Sequence, residues 1–339
     1  MKPPPVKPVA THGENPASLA GGRFGLARWA FGVFLFAALV VVVLHFGDMQ
    51  DFVQLARAAE PEWLLLAVLA QVATYVSTGA IWREALKEAG HARSLASLVT
   101  LGIAKLFADQ AIPIGGMSGT ILLMRGLARR DIPPRIAIAA LLVEMVTYYG
   151  AYLIVVLIGV GLLLANYKAN SLILIGAVVF TIMAVAVPGG VLWARHLGRL
   201  PLPAWTARFP KAMSVLKAVV EAPSDLLRNR NLIVRVAALQ LGVFLLGALT
   251  LWFSFRALGS SPPFWISFVA FVIASSAATI SVIPLGLGSF EAASVMVLHL
   301  LGVSLGPGLT ATLLLRILTF WLPMIPGLLL MRREFQDED

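Results

Sequence analysis

The chain of 339 residues is 59% hydrophobic and 13% charged, with a mean hydropathy of +0.88. Soluble domains carry about 25% charged residues, so a soluble fold is excluded, and the alternation of a β-barrel is absent. The net charge of +9 does not signal nucleic acid, because Lys and Arg flank apolar stretches as the positive-inside rule expects. The lack of cysteine removes disulfides, thiolate metal sites and cysteine nucleophiles.

In chain order, residues 1–24 set Pro3, Pro4, Pro5, Pro8 and Pro16 among Lys2, Lys7 and Arg23 and read as a disordered basic cytoplasmic tail. Apolar residues 29–46 form a first span, retained because no small-residue cleavage pattern follows. Residues 63–82 form a second, uncharged span, and 83–93 are rich in Lys and Arg. Residues 94–112 approach span length but contain Lys105 and Asp109. The next apolar piece, 120–127, is about 12 Å long as a helix, too short for a hydrocarbon core of about 30 Å. The two pieces read as a re-entrant hairpin, 94–128, that returns to the basic side marked by Arg125, Arg129, Arg130 and Arg135.

Residues 136–165 form a span that holds Glu144, and 171–194 form another. The basic cytoplasmic loop 195–231 suits an interfacial amphipathic helix. After the span 232–255, the uncharged stretch 264–283 precedes a piece, 289–301, too short to cross. By analogy with the first case these form a second hairpin, 264–303. The last span, 307–331, contains Arg316, and 335–339 make an acidic end.

Two strings recur. IPIGGMSG (112–119) matches IPLGLGSF (283–290), and about thirty residues downstream LLVEMVTYY (141–149) matches LLLRILTFW (313–321). Glu144 and Arg316 fall at corresponding places. The expected fold is an all-α polytopic membrane protein with an inverted-topology repeat, 25–168 and 169–334. It has six full transmembrane helices and two re-entrant helical hairpins. With both termini in the cytoplasm, most of the 26 Lys and Arg lie on that side, which suits a bacterial inner membrane.

Gly115, Gly116, Gly119, Gly286 and Gly288 relax the backbone at membrane depth, where irregular chain is tolerated only against protein or water. Ser118 and Ser289 are candidate N-caps for the short helices that follow, whose positive dipole ends suit an anionic headgroup. Arg316 and Glu144 lie inside apolar spans, where ionisable groups are costly and tend to be functional. They could approach one another as a structural ion pair or as part of a lipid site. Glu291 lies in the first turn of its short helix, complementing the dipole or serving gating. Lys105 and Asp109, one helical turn apart, pair locally or face a polar cavity. Arg125 marks the headgroup level or snorkels. His12, His45, His91, His196 and His299 lack metal-ligand spacing, and no hydrolase elbow or phosphate loop is present. No catalytic residue, metal or cofactor is therefore expected.

Over 283–303 and 313–330 the chain resembles the lysylphosphatidylglycerol synthase transmembrane region, or flippase-like domain, the membrane half of the multiple peptide resistance factors. The motif is Pro284, Gly286, Gly288 and Glu291, then Arg316 before Phe320. In the first copy, the places where many members carry an acid hold Ser118, Gly119 and Thr120. The chain stops at Asp339 without a soluble acyltransferase-like domain, so the resemblance implies lipid translocation rather than aminoacylation. The expected partner is a membrane lipid, not nucleic acid. A homo-oligomer and a cell-envelope enzyme partner stay open, as do two other classes: a membrane enzyme acting on a lipid or polyprenyl-linked substrate, and an accessory subunit.

Overall fold

A computed structural model describes residues 59–111, 117–166, 225–281 and 286–335, with the single positions 182 and 189. Apart from those two positions, the expected tail, the spans 29–46 and 171–194, most of the basic loop, Gly115, Gly116 and the acidic end beyond 335 lie outside the described residues. The chain divides into two compact units, and all the described residues belong to the second, Gln50–Asp339.

The described elements are all helical: α1 (Pro61–Glu88), α2 (Leu95–Ala111), α3 (Met117–Ala128), α4 (Pro134–Asn166), α5 (Asp225–Arg228), α6 (Arg230–Ala257), α7 (Phe264–Ile280), α8 (Ser289–Leu300) and α9 (Leu305–Arg316). A π-helical turn, Ile317–Trp321, joins α9 to α10 (Met324–Phe335). Four of the expected spans are among them: α1, α4, α6 and the run Leu305–Met331. At 1.5 Å per residue, the 28 residues of α1 reach about 42 Å, enough to cross. Leu65, Leu69, Leu157, Val234, Ile325 and Leu329 stand exposed on these helices, as lipid-facing residues do. This is a multi-pass helical membrane protein.

Local chemistry sets the helix ends. Pro61 begins α1, where its fixed φ suits the first turn and its missing N–H costs nothing. Asn229 caps α6, its Oδ1 accepting from the Leu232 amide at 3.1 Å. Both helices outrun their apolar windows by several residues, because charged side chains continue the helix into the interface.

The two hairpins have equal arms. Both α2 and α7 have 17 residues; both α3 and α8 have 12. The arms measure about 26 and 18 Å, so neither crosses alone. The first hairpin is closed at its base: Arg93 Nε donates to the Arg130 carbonyl at 2.9 Å, and Arg130 Nε to Ser97 Oγ at 2.8 Å. Its two ends are therefore on one side, as the re-entrant reading requires.

The repeats interlock head to tail. α1 and α6 pack antiparallel: the Glu60 amide bonds the Ala257 carbonyl at 2.8 Å at one end, and Arg235 meets Glu84 and Glu88 at 3.0 and 2.7 Å at the other. The first arm of each hairpin packs on the last span of the other repeat, α7 on α4 and α10 on α2. Tyr152 donates to Ser276 Oγ at 3.4 Å across the first contact. Gly327 lies so close to Phe107 in the second that a Cβ there would fall 2.5 Å from the Cβ of Phe107. The exchange is reciprocal, as a two-fold relation between the repeats would make it. The last span is present but carries an irregularity that hydropathy does not show. The run 307–331 is not one continuous α-helix, because a π turn and Pro323 interrupt it.

Candidate functional site

The second hairpin turns through Gly286 and Gly288, at φ 61° and 81°, where a side chain would be strained. A Cβ at Gly286 would also collide with Ala278 on the opposite arm. Glu291, three residues into the turn of α8, accepts from the Gly288 amide through Oε2 at 2.8 Å. Its other oxygen accepts from Arg316 Nε at 2.6 Å. The pair is nearly closed off, with side chains 11% and 14% exposed. Arg316 Nη2 reaches the Gly286 carbonyl at 3.5 Å, and its guanidinium lies 4.7 Å from the Phe290 ring and 5.5 Å from that of Phe320. A cation in an apolar span is thus matched by one carboxylate and two aromatic faces.

The first hairpin builds the same junction from different parts. Asp109, on α2, accepts from the Gly119 amide at 2.7 Å and from Ser118 Oγ at 3.4 Å. Its second oxygen lies 3.5 Å from Lys105 Nζ. In both hairpins a carboxylate holds the N-terminal amides of the short helix and is balanced by a cation. In the second, the acid lies on the short helix itself; in the first, it reaches across from the long arm. Gly119 is required by this arrangement, since a Cβ there would fall on the Asp109 carboxylate.

Two expectations are corrected. Ser118 and Ser289 lie inside the first turns and do not act as N-caps; their hydroxyls donate, Ser118 to Asp109 and Ser289 to the Gly286 carbonyl at 3.0 Å. The acceptors at these helix ends are the carboxylates, which also match the dipole. Glu144 and Arg316 do not form an ion pair; the carboxylate that Arg316 meets is Glu291. Glu144 is half-buried on α4.

The family described as Lysylphosphatidylglycerol synthase TM region matches residues 29–327. The chain belongs to this family. A comparison with curated proteins finds no match. The family region takes in both hairpins and both charged clusters, and ends within the last span. Within this member of the lysylphosphatidylglycerol synthase TM family, Asp109 takes in the first hairpin the place that Glu291 has in the second, accepting from an amide at the start of the short helix.

The structure brings Arg316, Glu291, Gly286, Gly288 and Ser289 into one cluster, and Lys105, Asp109, Ser118 and Gly119 into another; among the described residues, the Glu144 side chain forms no hydrogen bond or ion pair with either. Arg125 joins neither; it lies exposed in the last turn of α3. Tyr75, absent from the sequence-based candidates, donates to the Leu318 carbonyl at 3.0 Å, two residues past Arg316. Its signal was a phenol in an apolar span with Pro323 downstream in another, a pairing that sequence separation hides.

Proposed function

We propose that this protein moves a lipid between membrane leaflets, its headgroup passing the two re-entrant helix ends. The observation that carries the reading is the repeated junction: a glycine-relieved helix N-terminus, a carboxylate and a cation, built twice at membrane depth. Such an end offers amide donors and a partial positive charge to a phosphate. A lipid phosphate would compete with Glu291 for Arg316 and with Asp109 for the Gly119 amide. The competition exchanges one anion for another, so neither Arg316 nor Lys105 is left without a counter-charge while the headgroup passes. The family match supports a role tied to membrane lipid. Transport without a chemical step is the preferred class, and the charge asymmetry supports cytoplasmic termini in a bacterial inner membrane.

The test is leaflet exchange of headgroup-labelled phospholipids in liposomes containing the purified protein. Wild type is expected to accelerate exchange for at least one anionic or zwitterionic headgroup, and Arg316→Ala to slow it about tenfold or more, the loss of one charged contact. An Arg316→Ala rate equal to wild type would remove the cluster from the path.

A further inference from the structure

The turn after Arg316 is held by a residue of the other repeat. Through Ile317–Trp321 the helix widens to π spacing, and the Leu322 amide bonds the Ile317 carbonyl at 2.8 Å. That choice takes from Leu318 the donor an α-helix would supply. Thr319 would receive its donor from residue 323, which is proline and has no N–H. Both carbonyls face the loss of a partner at membrane depth, where water cannot replace it. The Tyr75 phenol, on α1, supplies the donor, at 3.0 Å from Leu318 O and 3.4 Å from Thr319 O.

We propose that Tyr75 is a positioning residue whose phenol holds the π turn that aims Arg316 at Glu291. A π turn inserts one residue into the helical register, and each residue is worth about 100° of rotation. If the turn reverted to α spacing, Arg316 and Phe320 could not both keep their stations relative to α10. The Arg316 contacts to Glu291 and to the Phe320 ring share this turn. Tyr75 thereby ties the first repeat to the charged cluster of the second, and π turns of this kind gather at functional sites. The geometric claim stands without any transport; its consequence for lipid movement rests on the function proposed above.

Five variants of the full chain in lipid nanodiscs test it: Tyr75→Phe, Pro323→Ala, both together, and Glu291→Gln alone and with Tyr75→Phe. Tyr75→Phe keeps the ring and removes only the donor, and the added amide of Pro323→Ala can serve the Thr319 carbonyl. Hydrogen exchange at the amides of residues 317–322 is expected to quicken about tenfold in Tyr75→Phe. It should return to within about twofold of wild type when Tyr75→Phe and Pro323→Ala are combined. Unfolding midpoints should show Glu291→Gln costing less in the Tyr75→Phe background than in wild type. Unchanged exchange in Tyr75→Phe, or strictly additive midpoints, would overturn the proposal. Restored exchange together with coupled midpoints upholds it even where wild type moves no lipid, an outcome that instead defeats the proposed transport.

Discussion

Arg316 shows how an expensive charge is kept inside a membrane. A guanidinium there needs an anion, and the anion needs donors of its own. Glu291 satisfies both demands, facing Arg316 with one oxygen and the Gly288 amide with the other. Asp109 does the same work for the first hairpin, and Gly119 is the residue that makes room for it. Gly119→Ala is therefore expected to cost about 1–3 kcal/mol, because the methyl displaces a carboxylate already bound. Gly102→Ala, on the same hairpin but facing open space, should be neutral or slightly stabilising. Unfolding midpoints of the two variants in one detergent check the contrast; equal shifts would argue against the Asp109 junction.

Among the elements, the antiparallel pair α1 and α6 joins the two repeats by unlike means at its two ends. At one end Trp63 packs on Trp252 and Phe253 at 6.0 Å, and the Arg256 guanidinium lies 4.5 Å from the Trp63 ring. At the other, Arg235 bridges Glu84 and Glu88, while Asn229 donates to Glu88 at 2.6 Å. The Arg235 side chain is 47% exposed, so water screens most of its attraction. Exposed pairs are worth about 0.2–1 kcal/mol, whereas loss of a packed Trp costs about 3 kcal/mol or more. Trp252→Ala is expected to lower the unfolding midpoint well beyond Arg235→Ala. The reverse order would shift the holding force of this seam to the ionic end. The lengths of these helices were readable from hydropathy, since a hydrocarbon core sets how many apolar residues a crossing needs. The break at Ile317–Trp321 was not, because every residue of that turn is apolar or small enough for an unbroken span.

For the whole molecule, the inverted repeat makes a sidedness prediction. On an inverted repeat the first hairpin is expected to enter and leave by one face, and the second by the other. Because the chain has no cysteine, single cysteines can report on each face without background. Ala92→Cys and Arg129→Cys, at the base of the first hairpin, should react with an impermeant maleimide from one side only. Ser261→Cys and Ser304→Cys, flanking the second, should react only from the opposite side. Labelling of all four from one side would contradict the inverted topology.

The amino-acid sequence by itself determined that the chain crosses a membrane, where the four crossings among the described residues lie, and that two segments are too short to cross. Each of these follows from one-dimensional quantities: apolar length, charge position and the recurrence of a string. It also marked Arg316, Glu291, Lys105 and Asp109 as charges needing an explanation, since their cost depends only on being inside apolar stretches. Which charge answers which was decided by the tertiary structure. Repeat symmetry set Glu144 opposite Arg316, yet the turn at Gly286–Gly288 delivers Glu291 there instead. The acid absent after the first glycine cluster arrives from Asp109 on the facing arm, and the donor missing at Pro323 arrives from Tyr75 in the other repeat. Hydropathy reports how deep a residue sits, but hydrogen bonds and ion pairs form over about 3 Å, and only the packing of helices against one another sets distances that short.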